Sequence, residues 1–197
     1  VYSDSLNYRK EAGLCDDQLG GLSGERVFFF DLDVLITGNL DDFFDYPDGD
    51  NFYIINDWNT RGNHVGQASC YSFVVGKLGQ IKDYFEANSE SVINNFGTAS
   101  QEYLSDQVQK LFGSLNFWPE EWFKSFKFHC LPVWFLRKFI VPAKPPASTK
   151  VLAFHGHPDI EDALMGRWAP NGLKKSARGW KKIYKQCRKT DWIKEFF

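Results

Sequence analysis

Two aspartates one residue apart, Asp31 and Asp33, follow directly on the apolar run Val27 to Phe30 in "VFFFDLDVLITGNLDDFF". In an extended segment, side chains two positions apart share a face, so both carboxylates can approach one cation, directly or through water. Without a cation, adjacent carboxylates at a buried strand end repel, and one takes up a proton. A divalent ion removes that conflict. Hard oxygen ligands favour Mg²⁺ or Mn²⁺, ions commonly completed by substrate phosphates instead of a full protein cage. The plainer alternative is that these are loop carboxylates capping the next turn, the role expected for Asp41, Asp42 and Asp45.

The elements that must hold such a site follow from the pattern on either side. Val27 to Leu32 reads as a strand, and its unbroken apolar run, without alternation, predicts cover on both faces, as in a parallel or mixed α/β sheet. "GNLDDFFDYP" predicts a turn and one helical turn, with Gly38 or Asn39 near the cap and Pro47 ending it. "NFYIIND" and "SCYSFVVGK" are rich in strand formers and predict two more strands. "GQIKDYFEANSESVINNF" and "SQEYLSDQVQKLFG" carry apolar residues at helical spacing, the second ending in a Gly stop. "EEWFKSFKFHCLP" mixes aromatic and polar residues in a way that suits paired strands near a pocket. After the Pro-rich "FIVPAKPPASTK", the stretch "VLAFHGHPDI" repeats the opening pattern of a buried strand delivering polar groups at its end. Ligands of open α/β sheets sit beyond the carboxyl ends of strands, so two such ends point to one site.

Two chemistries use a strand-end Asp-X-Asp. In haloacid-dehalogenase-like phosphatases the first Asp is the nucleophile, and "FFFDLDVLIT" is superficially similar, with Asp31 in that place. That reading also needs a downstream Lys and a second acidic cluster, whereas "VLAF" ends in His-Gly-His and the acids Asp159, Glu161 and Asp162 come later. The second chemistry is glycosyl transfer. The order of "FFFDLDVLITGNLDDFF", "SCYSFVVGK", "YLSDQ" and "FHGHPDI" over residues 26 to 168 resembles the metal-dependent GT-A glycosyltransferases of the glycogenin and lipopolysaccharide galactosyltransferase type.

The resemblance implies a GT-A-like α/β fold, a mixed and mainly parallel sheet flanked by helices. It implies that Asp31 and Asp33 bind Mn²⁺ or Mg²⁺ bridging the diphosphate of a nucleotide sugar, with His155 as third metal ligand, Gly156 beside it and His157 as a neighbour in the same element. It places Asp106 and Gln107 of "SDQ" near the donor sugar and acceptor; the alternative for Asp106 is an ordinary helix-surface acid. Lys127 is a candidate phosphate contact, or else a solvated Lys between Phe126 and Phe128. The Lys-Pro-Trp that often follows the late motif is replaced by "HPDIEDALM". His64 and His129 have no partner in this scheme and are expected to be structural.

The implied function is metal-dependent transfer of a sugar from a nucleotide-sugar donor to a carbohydrate or other hydroxyl acceptor. If the anomeric carbon inverts, Asp106 is the candidate base for the acceptor hydroxyl; if configuration is retained, it positions the sugar. The alternatives are the Mg²⁺-dependent phosphatase and a non-catalytic carbohydrate-binding domain with an aromatic-rich pocket. Only thirty residues precede Asp31, so part of the family's N-terminal nucleotide-binding region is expected to be missing.

At 197 residues with 43% apolar and 17% aromatic content, the chain has the means for a packed core and none of the polar profile of disorder. No window has the uninterrupted apolar length of a membrane span and the first residues have no signal-peptide pattern, so a cytoplasmic location is expected. Four widely spaced cysteines, Cys15, Cys70, Cys130 and Cys187, suggest reduced buried thiols instead of zinc ligands or disulfides. Residues 1 to 172 read as the glycosyltransferase-like domain, and 173 to 197 as a basic amphipathic helix with Trp180, Ile183, Tyr184 and Cys187 on one stripe. That helix either packs on the body or contacts an anionic membrane peripherally. The remaining acidic body opposes nucleic-acid binding.

Overall fold

The computed structural model describes residues 8, 10–59, 65–169 and 185–197. In chain order the elements begin with β1 (Arg26–Phe30), β2 (Val34–Ile36), α1 (Asp42–Asp45), β3 (Tyr53–Asn56), β4 (Gly66–Val74) and α2 (Gly79–Phe96). They continue with α3 (Ser100–Phe112), β5 (Asn116–Phe117), β6 (Phe123–Ser125), β7 (Val151–Ala153) and α4 (Ile160–Met165). The chain divides into two compact units: Val1–Phe30 with Asp41–Trp118, and Asp31–Leu40 with Pro119–Phe197. No helix among the described residues is long and apolar enough to cross a membrane.

The first unit is built on a four-stranded sheet in the order β1-β4-β3-β5. β1 and β3 both pair antiparallel with β4, and β3 pairs parallel with β5. Phe28 and Phe30 lie against Phe43, with Phe28 also stacked on Trp118, while Phe29 stacks on Tyr71. Both faces of the run are therefore covered, as expected, but on an antiparallel edge strand whose residues are only half-buried. α2 buries Ile81, Phe85 and Val92, whereas Tyr84, on the apolar spacing read from the sequence, is 46% exposed and Ile93 only partly buried; α3 buries Tyr103, Leu104 and Val108 on the expected spacing. The Tyr103 hydroxyl donates to the Ile81 carbonyl at 3.0 Å, tying the two helices together. Gly66 is required where it stands: a Cβ there would meet the Ile54 side chain at 2.5 Å.

The second unit holds a three-stranded sheet in the order β2-β7-β6, antiparallel between β2 and β7 and parallel between β7 and β6. Its core gathers Leu35, Phe126, Cys130, Leu152, Phe154 and Ile193, with the Phe126 and Phe154 rings stacked at 4.6 Å. Among the described residues the class is the expected mixed α/β, but three of the five strand pairings are antiparallel, so the expected parallel majority is not present. The β3 to β4 connection, residues 57–65, is too short for the helical crossover a parallel pair requires. The expected strand pair in "EEWFKSFKFHCLP" is also corrected. Only Phe123–Ser125 is extended, and Phe126–Cys130 is a π-helical turn that sends Phe126 and Cys130 inward. All four cysteines are free and buried. Of the expected C-terminal helix, Trp180, Ile183 and Tyr184 lie outside the described residues; Asp191–Phe196 is a 3-10 helix.

Candidate functional site

The expected metal ligands Asp31, Asp33 and His155 lie in the second unit around the end of the β2–β7 pairing, although among the described residues only His157, Asp159 and Asp162 bring three ligand-type atoms within 4.8 Å of one another. The register pairs Val34 with Ala153, and the next rung is the Phe154 N–H donating to the Asp33 carbonyl at 2.8 Å. Asp33 and Phe154 are thus opposite one another. Asp31 and His155 follow just beyond the last rung, one from each strand. Leu32, between the two aspartates, is 98% exposed: β1 ends at Phe30, and Leu32 and Asp33 form a turn before β2, so the strand expected to run through Leu32 stops short of the aspartates. The Asp31 carboxylate accepts from the Leu32 N–H at 2.8 Å, a local bond that holds the segment.

Asp33 is the informative residue. Its Oδ1 is buried with no hydrogen-bond partner among the described residues, although buried polar atoms are nearly always satisfied. Burial first, and then the neighbouring charges of Asp31 and Asp159, push its carboxyl up to about 6. A carboxylate in that condition gains from a cation, because the cation supplies both the missing partner and the opposing charge.

The β7 end contributes an ordered pair of imidazoles. His155 shares a 2.7 Å hydrogen bond between its Nε2 and the Ser125 hydroxyl at the end of β6, and its ring stacks on Phe128 at 5.6 Å. Gly156 follows with φ at 75°, a left-handed conformation that glycine adopts without strain. His157 is held through Nδ1, 2.9 Å from Oδ2 of the wholly buried Asp162. The other Asp162 oxygen accepts from Arg167 Nε at 2.8 Å. The Asp162 N–H donates to Asp159 at 2.7 Å within a capping box that starts α4.

Ligand-type atoms of His157, Asp159 and Asp162 lie within 4.8 Å of one another. Both Asp162 oxygens already have strong partners, so this group is a scaffold that fixes the loop, with Asp159 adding negative charge next to Asp33. Sequence reasoning assigned no part to Asp159 or Asp162. The Asp-x-x-Asp spacing ahead of "ALM" is the helix-start signal that points to them.

The second unit thus contains Asp31, Asp33, His155, Gly156 and Lys127. Lys127 is half-buried on the π-helical turn. His129, on the same turn, accepts from the Ser125 N–H at 2.9 Å, a structural role. Asp106 and Gln107 belong to the first unit, on the half-buried side of α3. There Asp106 pairs with Lys110 at 2.6 Å and accepts from Gln107 Nε2 at 2.9 Å. Its neighbour Ser105 is a buried link, accepting from the Gly66 N–H at 2.8 Å and donating to the Gln101 carbonyl. His64 lies outside the described residues.

No family model matches the chain, and no curated protein matches it either. Among solved structures, the chain is similar to the glycosyltransferase GlyE of Streptococcus pneumoniae TIGR4. That match has 15% identity and a TM-score of 0.53, covering 96% of this chain and 46% of that one. The galactosyltransferase LgtC, solved in complex with donor and acceptor sugar analogs, matches at 17% identity and a TM-score of 0.44, over 66% of this chain and 52% of that one. The chain therefore shares the mixed α/β fold of GlyE and spans about half the length of the structures it matches.

Proposed function

We propose that this chain is the metal-binding part of a glycosyltransferase that moves a sugar from a nucleotide-sugar donor to a hydroxyl acceptor. The observation that carries the reading is the buried Oδ1 of Asp33, partnerless among the described residues and raised in pKa beside Asp31 at the rung where the His155 strand ends. The shared fold with GlyE supports the same reaction class over the phosphatase alternative.

Asp31 and Asp33 offer hard oxygens and His155 a ring nitrogen, a donor set that fits Mn²⁺ or Mg²⁺. When bound, the ion supplies positive charge against the departing nucleoside diphosphate. The chain's own residues do the remaining work. Ser125 and Phe128 hold the His155 ring in one orientation, as partners beyond the ligand shell do in metal sites. Asp162, locked by Arg167 and the α4 cap, holds His157 in the same loop. Gly156 leaves room for a close approach at an exposed turn, and Lys127 is assigned a phosphate contact. Asp106 and Gln107 are assigned to the sugar, Asp106 as base for an inverting reaction or as a positioning group for a retaining one. The basic C-terminal segment is assigned to peripheral membrane contact.

The test has two readouts. Titration with Mn²⁺ is expected to raise the thermal midpoint of the parent and to leave Asp33→Asn unmoved. Sugar-dependent release of nucleoside diphosphate, followed over a panel of donors, is expected to fall by about 10²- to 10³-fold in the same variant. Phosphate release from a phosphomonoester, with an aspartyl-phosphate trapped at Asp31, would overturn the transferase. Retained glycan binding without either activity would favour the carbohydrate-binding module.

A further inference from the structure

We propose that the second unit carries a docking site for an anionic membrane surface, formed by an apolar strip at Val133–Val141 and the cationic cavity beside it. The proposal deepens the membrane contact assigned above to the C-terminal segment, to which Lys185 and Arg188 belong, and is independent of the sugar-transfer reading. In the strip, Val133, Trp134, Phe135, Phe139, Ile140 and Val141 are each 46 to 69% exposed. A soluble surface scatters such side chains singly; six exposed within nine consecutive residues are a local concentration of apolar surface that calls for a partner. The backbone makes one 3-10 turn at Trp134–Leu136, and Trp134 and Phe135 meet edge to face at 5.4 Å. Apolar and aromatic groups on a short turn can enter the headgroup boundary without placing unpaired backbone groups deep in hydrocarbon.

Charge identifies the partner. Lys138 stands within the strip and also lines a cavity of about 310 Å³ with Arg167, Trp168, Lys185 and Arg188, and among the described residues no carboxylate lines it. Arg188 donates to the Lys138 carbonyl at 3.5 Å, and Arg137 lies over the Trp168 ring at 5.6 Å, so strip and cavity are continuous. Arg167 is engaged by Asp162 and Glu161, whereas Lys138 and Lys185 have no acidic partner among the described residues. The sequence around them has none to offer: from Trp122 to Pro158 there are six Lys or Arg and no Asp or Glu, and from Ala163 to Thr190 nine and none. A cavity of this size and sign suits one phosphodiester headgroup, and the adjacent apolar strip suits the acyl boundary beneath it. Nucleic acid would set the same apolar side chains against phosphate, which favours a bilayer.

The full chain is mixed with phosphatidylcholine vesicles, alone or with about a third phosphatidylglycerol, and binding is followed by co-sedimentation. We expect binding to the anionic vesicles alone, weakened by salt. Trp134→Ser with Phe139→Ser, and separately Lys138→Gln with Lys185→Gln, are each expected to lower partitioning by more than about tenfold while keeping the parent's thermal midpoint; removing one surface cation is worth roughly fivefold. Parent-like binding by both double variants would overturn the site and leave the rest of the basic tail as the anchor. Inorganic phosphate binding without vesicle binding would make the cavity a soluble-phosphate site and also overturn it. So would dimers in the parent that the Trp134→Ser, Phe139→Ser variant dissolves, because a second copy would then cover the strip.

Discussion

The two units of this chain have opposite charge balances and use their acids in opposite ways. The first holds sixteen Asp or Glu and seven Lys or Arg; the second holds nine and sixteen. The acids around the β2–β7 pairing and the start of α4, Asp31, Asp33, Asp159, Glu161 and Asp162, are nevertheless in the basic unit, with Asp162 engaged by Arg167 and His157 and Glu161 by Arg167. Asp16 and Asp33 give the contrast in one residue type. In the first unit, Lys82 and two backbone N–H groups hold the Asp16 carboxyl down at about 2. In the second, burial and two neighbouring acids push that of Asp33 up to about 6. Net charge does not locate a site; repulsion that no partner relieves does.

The largest expected effect tests the packed side of this contrast. Phe52 is wholly buried in the first unit's core, and Phe52→Ala is expected to cost about 3–5 kcal/mol in denaturant unfolding. It removes no carboxylate, so Mn²⁺ affinity of the folded fraction should stay at the parent value. Next comes the ionic interior of the second unit. Asp162→Ala strips partners from Arg167, His157 and the α4 cap, and should cost about 2–4 kcal/mol. A loss below 1 kcal/mol would show the network to be dispensable and break the contrast.

Asp33→Asn should act in the reverse direction on the metal-free protein, raising the thermal midpoint at neutral pH by about 2–4 °C, which corresponds to about 1 kcal/mol for a chain of this size. The Asp33 carboxyl lies above its ordinary value, so folding opposes its ionisation. The stability it contributes is full below about pH 4 and is lost as pH rises through about 6. The advantage of the Asn variant should therefore shrink towards pH 4, as read by thermal melts across that range. The smallest effect belongs to Asp106→Ala. Its pair with Lys110 is a partly exposed i,i+4 contact, so stability should change by less than about 0.5 kcal/mol, whatever happens to turnover.

Local physics made much of this legible. The α2 and α3 spans coincide with the stretches chosen from apolar spacing, and Gly113 closes α3 in a left-handed conformation. The strand before Asp31 and the strand before His155 were both readable as greasy runs ending in polar groups. The π-helical turn at Phe126–Cys130 was not, because its aromatic and polar residues suit a strand equally well until Phe126 stacks on Phe154. Nor was the scaffold beneath His157, since Asp162 reads from sequence as one more acid in a helix start.

The sequence by itself determined the α2 and α3 spans, the strand that leads into the two aspartates, and the basic, acid-free stretches from Trp122 to Pro158 and from Ala163 to Thr190. Those follow from periodicity and composition, which are properties of neighbours along the chain. Strand direction, the rung that sets Asp33 opposite Phe154, the isolation of Asp33 Oδ1 and the exposure of Trp134 and Phe139 were decided only in the tertiary structure. Each depends on which distant segment supplies a partner, and no local pattern encodes that.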